Sequence, residues 1–297
     1  MHLRRCLAVL VVASLAMFAP STGTAQPTAV AELSFTFVDT SRPAGSQSNV
    51  RTLPARVLVP DGRHDHPLIV FAHGFSANGP VYTNLLRQVA AEGYVVALPT
   101  FPLSSAGTPG GPQLGDYVNQ PADVSFVITQ LLALDAQAGS PLAGRIDEDH
   151  IGVSGHSLGA ITTLGFANTC CLDPRVDAIA PIAGLRAGFP GSFFPAGTPP
   201  LLLIHGDADA TVPYSGSTSA YADAPAPKFL VTLLGAGHVP FRIGFTVPPT
   251  VPASEVVTVD ALVAFFDRYL ENGPRGLRHL RNAADEPGVA TLQSTPR

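Results

Sequence analysis

The chain has 297 residues, of which 46% are hydrophobic and 13% charged, and its formal net charge is −5. This hydrophobic content excludes an intrinsically disordered chain, and the length is enough for one large α/β domain. The negative charge provides no basic face for phosphates, so a nucleic-acid partner is not expected.

Residues 1–25 have the pattern of a secretory signal peptide. Arg4 and Arg5 precede an apolar run at 7–18, and small residues follow at 23–25, where a signal peptidase would cleave. The run is shorter than the roughly 20 residues that span a bilayer, which favours a signal peptide over an anchor. We therefore expect a secreted or periplasmic (extracytoplasmic) protein with no stable membrane span after signal removal.

Signal removal leaves two adjacent cysteines, Cys170 and Cys171. In an oxidising compartment they could form a vicinal disulfide, and the alternative is two small, buried, unpaired side chains. Two adjacent cysteines without a further cysteine make a poor zinc site. The sequence suggests no metal and no other cofactor.

The pattern of the mature chain predicts alternating strands and helices. Residues 33–38 alternate polar and apolar side chains, and 56–60 could pair with them as a hairpin. Continuous apolar runs typical of buried parallel strands follow at 68–72, 94–98, 151–154, 178–183, 201–205 and 229–234. Helical patterns lie at 81–92, 121–134, 158–168 and 255–270. This order predicts an α/β fold with a mostly parallel central sheet of about eight strands, flanked by helices on both faces.

A G-x-S-x-G motif occupies residues 155–159, directly after a predicted strand and before a predicted helix. In that context the sharp turn places the Ser157 hydroxyl above the carboxyl edge of the sheet. The strained backbone of the turn requires small neighbours, which Gly155 and Gly159 supply. The motif therefore predicts a nucleophilic serine.

A serine nucleophile needs a base and an acid that orients the base. Asp209 follows the apolar run 201–205, and His238 follows the run 229–234. The chain order Ser157, Asp209, His238 is the order expected for this architecture. Asp207 lies in the same loop as Asp209 and is the alternative acid.

Four motifs resemble those of the α/β-hydrolase superfamily: FAHGF at 71–75, GHSLG at 155–159, HGDADATVP at 205–213 and GAGH at 235–238. Within it, the chain resembles secreted dienelactone-hydrolase-like and polyester-hydrolase-like serine esterases, which are related to chlorophyllases and platelet-activating-factor acetylhydrolases. The resemblance covers roughly residues 50–270. It implies that Asp209 is the acid, and that the backbone N–H groups of Phe75 and Leu158 form the oxyanion hole.

Other features allow two interpretations. The histidines His73, His156 and His205 are interpreted as bracing, packing or hydrogen-bonding residues and not as bases. The loops 184–199 and 239–249 either line a pocket for an acyl chain or aromatic ester, or pack on the core; their phenylalanines are Phe189, Phe193, Phe194, Phe241 and Phe245. The Gly/Pro-rich segment 102–121 is either a flap or a long surface loop.

Together these patterns predict an exported, metal-independent serine esterase. Residues 26–270 would form the catalytic domain and 271–297 a loose polar tail. The expected substrate is a small-molecule ester or a lipid-like ester, and the expected state is a monomer. The alternatives are a lipase or phospholipid acylhydrolase, a polyester (cutinase-like) hydrolase, and a non-catalytic binding protein. The absence of Trp argues against turnover of synthetic polyesters, and Ser157 in place of a cysteine argues against a dienelactone hydrolase proper.

Overall fold

The computed structural model describes residues 28–46, 48–62, 65–244, 250–271, 273 and 276–296. The predicted signal peptide and Phe245 lie outside these residues. In the described part of the chain, no helix is both long and apolar enough to cross a membrane.

A nine-stranded sheet forms the centre of the described structure. Its strands are β1 (Val30–Asp39), β2 (Arg51–Pro60), β3 (His66–Ala72), β4 (Val95–Pro99), β5 (Ile146–His156), β6 (Val176–Ile182), β7 (Leu201–Gly206), β8 (Lys228–Leu233) and β9 (Ala290–Thr295). Their spatial order is β1-β2-β4-β3-β5-β6-β7-β8-β9. The six strands from β4 to β8 in this order pair in parallel, while β1, β2 and β9 pair antiparallel at the two edges.

The strand patterns follow from burial. Every residue of β3, β4 and β7 is buried, as the continuous apolar runs predict for strands covered on both faces. β1 alternates and pairs with β2 from Val30 opposite Pro60 to Asp39 opposite Arg51, which confirms the hairpin. The mostly parallel α/β architecture is therefore confirmed.

Helices cover both faces of the sheet, as expected. They are α1 (Thr83–Ala91), α2 (Gln120–Ala136), α3 (Leu158–Gly165), α4 (Ser215–Asp223), α5 (Ala253–Tyr269) and α6 (Gly276–Ala284). Helices α1, α5 and α6 share one apolar core with the sheet, and α2, α3 and α4 share the other. Gly93 has a φ of 113° just after α1, so the chain turns there in a conformation that glycine adopts without strain.

The expectation of a loose tail at 271–297 is wrong for the residues described there, because α6 and β9 both pack on the domain. β9 pairs antiparallel with β8, with Ala290 opposite Leu233. Leu280 and Ala284 of α6 are buried in the core. As an edge strand, β9 buries little of its surface and can be nearly as polar as a loop. Its polar composition therefore did not predict a strand.

Buried ion pairs hold the segment 102–121 against the edge hairpin. The Arg51 guanidinium lies 2.8 Å from a carboxylate oxygen of Asp116 and 2.6 Å from one of Asp123. All three side chains are at most 1% exposed. Asp116 belongs to the segment and Arg51 begins β2, so the contacts favour a fixed surface loop over a flap.

Candidate active site

Ser157 occupies the sharp turn between β5 and α3. Its backbone has φ 59° and ψ −117°, a strained positive-φ conformation that is rare for a residue with a side chain. A Cβ at Gly155 would lie 2.4 Å from the Gly159 carbonyl oxygen, and one at Gly159 would lie 2.0 Å from that of Ala72. The two flanking glycines are therefore required, and they let the Ser157 hydroxyl stand at the N-terminus of α3.

The structure brings the three side chains of the predicted triad together. His238 Nε2 lies 2.8 Å from Ser157 Oγ, and His238 Nδ1 lies 2.8 Å from Asp209 Oδ2. The His238 side chain is 17% exposed, whereas that of Asp209 is fully buried. In the neutral ring, Nδ1–H donates to the carboxylate and Nε2 accepts from the serine hydroxyl. This arrangement can remove a proton from Ser157.

Asp209 is held by several donors besides His238. Its Oδ1 accepts backbone N–H bonds from Thr211 at 2.8 Å and Val212 at 2.9 Å. Its Oδ2 also lies 3.1 Å from Nε2 of His205. Burial raises the pKa of Asp209, but the hydrogen bonds from His238, Val212 and Thr211 outweigh it and leave that pKa below its usual value. Asp209 is therefore ionised at neutral pH.

Asp207, the alternative acid, serves a different purpose. It is exposed, and its Oδ1 accepts the backbone N–H of Gly235 at 2.6 Å. This bond ties the loop after β7 to the loop that carries His238. The geometry favours Asp209 as the partner of His238.

The two backbone donors proposed for an oxyanion lie beside the nucleophile. Leu158 N–H is at the first residue of α3, and Phe75 follows Gly74 after the end of β3. A Cβ at Gly74 would lie 3.4 Å from Ser157 Cβ, so the loop that bears Phe75 abuts the nucleophile. In the described part of the chain neither N–H has an acceptor. Both are therefore available to a ligand.

His73 braces this loop, as the sequence interpretation predicts. Its Nε2 accepts the Phe101 N–H at 3.0 Å, which leaves the proton on Nδ1 to be donated to the Gly74 carbonyl at 2.8 Å. Burial lowers the pKa of His73 to about 4, despite the opposing bond to Gly74. The ring is thus neutral and links the oxyanion loop to the segment after β4.

A second brace, through Tyr82, was not identified from the sequence. Gly74 N–H donates to Tyr82 Oη at 3.2 Å, and the Tyr82 hydroxyl donates to His156 Nδ1 at 3.0 Å. His156 Nε2–H then donates to the His238 carbonyl at 2.8 Å. Burial lowers the pKa of His156 to about 4, so this ring is neutral. The chain of bonds connects the oxyanion loop to the loop of the base.

The phenylalanines of the two apolar loops are mostly packed. Phe189 is 7% exposed and Phe241 is 4% exposed, and the Phe241 ring lies 5.1 Å from that of His156. The exposed apolar side chains beside the triad are instead Phe75 at 41% and Val239 at 45%. They directly follow Gly74 and His238 in the chain.

Cys170 and Cys171 are joined by a disulfide, which is one of the two alternatives left open by the sequence. They follow α3, at the end of that helix away from Ser157. Among the described residues, no group of three or more His, Cys, Asp or Glu side chains could hold a metal ion.

Comparison with known protein families identifies the family of this chain. The model of the family described as Chlorophyllase matches residues 28–186, which is more than half of the 297 residues. The chain belongs to the chlorophyllase family. This membership confirms the resemblance to α/β-hydrolase serine esterases.

Two curated relatives agree with this family. The chain is 31% identical over 176 residues to "Putative esterase NocK" of Nocardia uniformis subsp. tsuyamanensis, covering 58% of this chain and 48% of that protein. It is 26% identical over 149 residues to "Chlorophyllase-1" of Arabidopsis thaliana, covering 48% and 43% respectively. The chain thus spans about half the length of the curated relatives it matches.

The matched region contains only part of the site. Residues 28–186 include Phe75, Ser157 and Leu158, whereas Asp209 and His238 lie beyond it. The family match therefore covers the turn at Ser157 and the loop at Phe75, and the placement of Asp209 and His238 comes from the structure alone.

Proposed function

We propose that this protein is a serine hydrolase that cleaves carboxylic esters through an acyl-enzyme. The observation that carries the proposal is the unbroken contact from Ser157 Oγ through the His238 ring to Asp209 Oδ2, with 2.8 Å at each step. The name of the Nocardia relative supports an esterase.

In the proposed reaction, Ser157 Oγ attacks the ester carbonyl carbon while His238 Nε2 takes the hydroxyl proton. Asp209 fixes the ring through Nδ1–H and stabilises the imidazolium. The imidazolium then donates its proton to the departing alkoxide, which releases the alcohol and leaves Ser157 acylated. Water then attacks the acyl carbon while His238 Nε2 takes its proton. The imidazolium returns a proton to Ser157 Oγ as the acyl–Oγ bond breaks, which releases the acid and restores the serine hydroxyl.

Backbone N–H groups stabilise the oxyanion in the proposed reaction. We assign this role to the N–H groups of Phe75 and Leu158, with the positive end of the α3 dipole behind Leu158. These donors are fixed before the substrate arrives, because the bonds of His73 and Tyr82 hold the loop at Gly74. Loss of one such donor costs a serine hydrolase about 3 kcal/mol of transition-state stabilisation.

For the substrate, we propose a small-molecule or lipid-like ester with an apolar portion. The support is the pair of exposed apolar side chains, Phe75 and Val239, beside the triad. A series of p-nitrophenyl esters from acetate to palmitate tests the preferred acyl length. An increase of rate when the substrate forms micelles would identify a lipase instead.

We also propose that the protein is exported and monomeric. Export rests on the signal-peptide pattern of residues 1–25 and agrees with the disulfide of Cys170 and Cys171, since disulfides persist in oxidising compartments. Expression of the full chain in a bacterial host should yield extracytoplasmic protein that begins near residue 26. Sedimentation of that product would show whether it is a monomer.

Hydrolysis of p-nitrophenyl esters by the wild-type protein and by Ser157→Ala tests the proposed activity. We expect turnover by the wild type and a loss of at least about 1,000-fold in kcat for the variant. A folded wild-type protein with no turnover on any ester of the series would refute the esterase, and so would equal turnover by the variant.

A further inference from the structure

Asp209 Oδ2 lies within hydrogen-bond distance of two histidine rings. One is His238, at 2.8 Å, and the other is His205, whose Nε2 lies at 3.1 Å. His205 belongs to β7, and both it and Asp209 have fully buried side chains. The proposed mechanism gives His205 no part, so its contact with the acid needs an explanation.

The tautomer of His205 follows from the groups around it. Its Nε2 faces two acceptors, Asp209 Oδ2 and the Val212 carbonyl, both at 3.1 Å. A lone pair on Nε2 would be repelled by both, so Nε2 carries the proton. Nδ1 then accepts from the Ser217 hydroxyl, whose Oγ lies 2.7 Å away.

His205 is a neutral donor and not a second cation. Burial lowers its pKa, although the bonds to Val212 and Asp209 oppose this. The other groups that face this cluster are His238, the neutral ring of His156 and the Tyr214 ring, which lies edge-on at 5.7 Å from that of His205. Asp209, whose pKa lies below its usual value, supplies the negative charge of this cluster.

We propose that His205 is a positioning residue of the proposed esterase, which holds Asp209 Oδ2 with a second ring N–H and thereby sets the pH at which His238 becomes a base. A donor to a carboxylate draws part of its charge away from its other partners. With His205 in place, Asp209 stabilises the imidazolium of His238 less strongly. The inference rests on the proposed function, because it concerns the acid of that triad.

Removal of this donor should shift the pH dependence of kcat/KM in one direction. Without it, Asp209 holds the imidazolium form of His238 more tightly, so more alkaline conditions are needed to free the base. The midpoint of the acidic limb of kcat/KM should therefore move to higher pH, and kcat should fall because Asp209 is held less firmly. KM should change little, because the His205 side chain is fully buried and acts only through Asp209.

Two amide substitutions of His205 distinguish loss of the hydrogen-bond donor from a change in packing. In His205→Gln, the amide nitrogen can take the place of Nε2 and still donate to Asp209. In His205→Asn, the shorter amide can replace only Nδ1, which keeps the contact with Ser217 and loses that with Asp209. We expect the Asn variant to shift the limb by about half a pH unit or more and to lower kcat about tenfold, with the Gln variant close to wild type.

Ser217 provides a second, milder test on helix α4. Ser217→Ala removes the hydroxyl that donates to His205 Nδ1, which leaves the ring held less firmly against Asp209, and we expect a shift in the same direction as in His205→Asn, but smaller. Ser219→Ala is the matched control, since Ser219 is exposed on the same helix and bonds only to the Gly216 carbonyl in the described structure. It should leave the profile unchanged.

The experiment is the pH profile of kcat/KM for p-nitrophenyl acetate, with thermal unfolding to show that each variant folds. Shifts in His205→Asn and Ser217→Ala, but not in His205→Gln or Ser219→Ala, support the inference. An unshifted limb in a folded His205→Asn overturns it, as does an equal shift in the Gln variant. If His205→Asn does not fold, an unshifted Ser217→Ala overturns it. Absence of activity in the wild type would instead refute the esterase itself.

Discussion

The residues around the nucleophile turn show how tightly local sequence controls the site. Ser157 keeps its positive φ because β5 and α3 on either side fix the turn. At Gly155 and Gly159, two residues away on each side, the backbone leaves no room for a side chain. Such a motif is readable from sequence, since each residue type has one steric reason to be there. The acid and the base could be predicted for a different reason, since each follows the end of a buried strand that the sequence predicts.

Substitution of the two acidic residues distinguishes their roles. Asp209→Asn should lower kcat about 10⁴-fold, because the amide cannot stabilise the imidazolium and favours the wrong tautomer of His238. Asp207→Asn should cost less than tenfold, because Asp207 is exposed and bonds to Gly235 N–H. Steady-state hydrolysis of p-nitrophenyl acetate measures both, and the opposite order would show that Asp207 is the acid.

Removal of the Tyr82 hydroxyl tests the brace between the oxyanion loop and the base loop. Tyr82→Phe keeps the buried ring but breaks the bonds to Gly74 and His156, so we expect kcat to fall about tenfold with KM nearly unchanged. Tyr117→Phe is the control, since its hydroxyl bonds to Gly188 at an exposed position. Equal rates for the two variants would contradict a role of this brace in catalysis.

The brace through Tyr82 and His156 could not be predicted from the sequence alone. Tyr82 and His156 are 74 residues apart, and no local pattern marks the tyrosine. His73, His156 and His205 each resemble ordinary core histidines in sequence. What distinguishes them is which backbone groups their two ring nitrogens reach, and that depends on how distant strand ends pack.

Among the secondary-structure elements, buried strands were predicted well and polar elements poorly. The six continuous apolar runs all became strands, because a strand covered on both faces can hardly be polar. Helix α4 escaped notice because it buries only Ser217 and Ala220, and β9 because it lies at the sheet edge. In these elements tertiary contacts, and not periodicity, decide the structure.

The ion pairs of Arg51 join the edge hairpin to the segment before α2. Arg51→Met should destabilise the protein by about 3–5 kcal/mol, because it leaves Asp116 buried without a cationic partner and Asp123 with Arg42 alone. Arg87→Met removes an exposed pair with Glu32 and should cost about 1 kcal/mol or less. Urea unfolding measures both free energies.

Equal effects of the two arginine substitutions would contradict the account of segment 102–121. If Arg51 fixes this segment, limited proteolysis of folded Arg51→Met should cut within it before other sites. A pattern like that of the wild type would mean that other contacts hold the segment.

For the whole molecule, buried histidines predict how stability depends on pH. His73 and His156 have pKa values of about 4 in the folded state against about 6.5 when unfolded, so the unfolded chain binds more protons between these values. Their contribution is complete above pH 6.5 and is lost as the pH falls to 4. Each should account for roughly 3 kcal/mol, and His205 acts in the same direction.

Urea unfolding at pH 7, 5.5 and 4 checks this dependence. The carboxylates whose pKa is lowered, such as Asp209 and Glu255, begin to lose their contribution only near their unfolded pKa values of 3.8 and 4.5, at the acidic end of this window. His156→Gln should therefore flatten the curve between pH 6.5 and 4. A wild-type free energy that is constant over this window would contradict the assignment of the buried rings as neutral.

We propose that His238 makes Ser157 nucleophilic. Mass mapping after treatment with a fluorophosphonate tests it most directly, with Ser157→Ala and His238→Ala treated in parallel. We expect one adduct, on the peptide that contains Ser157, absent in Ser157→Ala and formed at least about 1,000-fold more slowly in His238→Ala. A folded wild-type protein that remains unlabelled at Ser157, or that is labelled equally fast without His238, would contradict it.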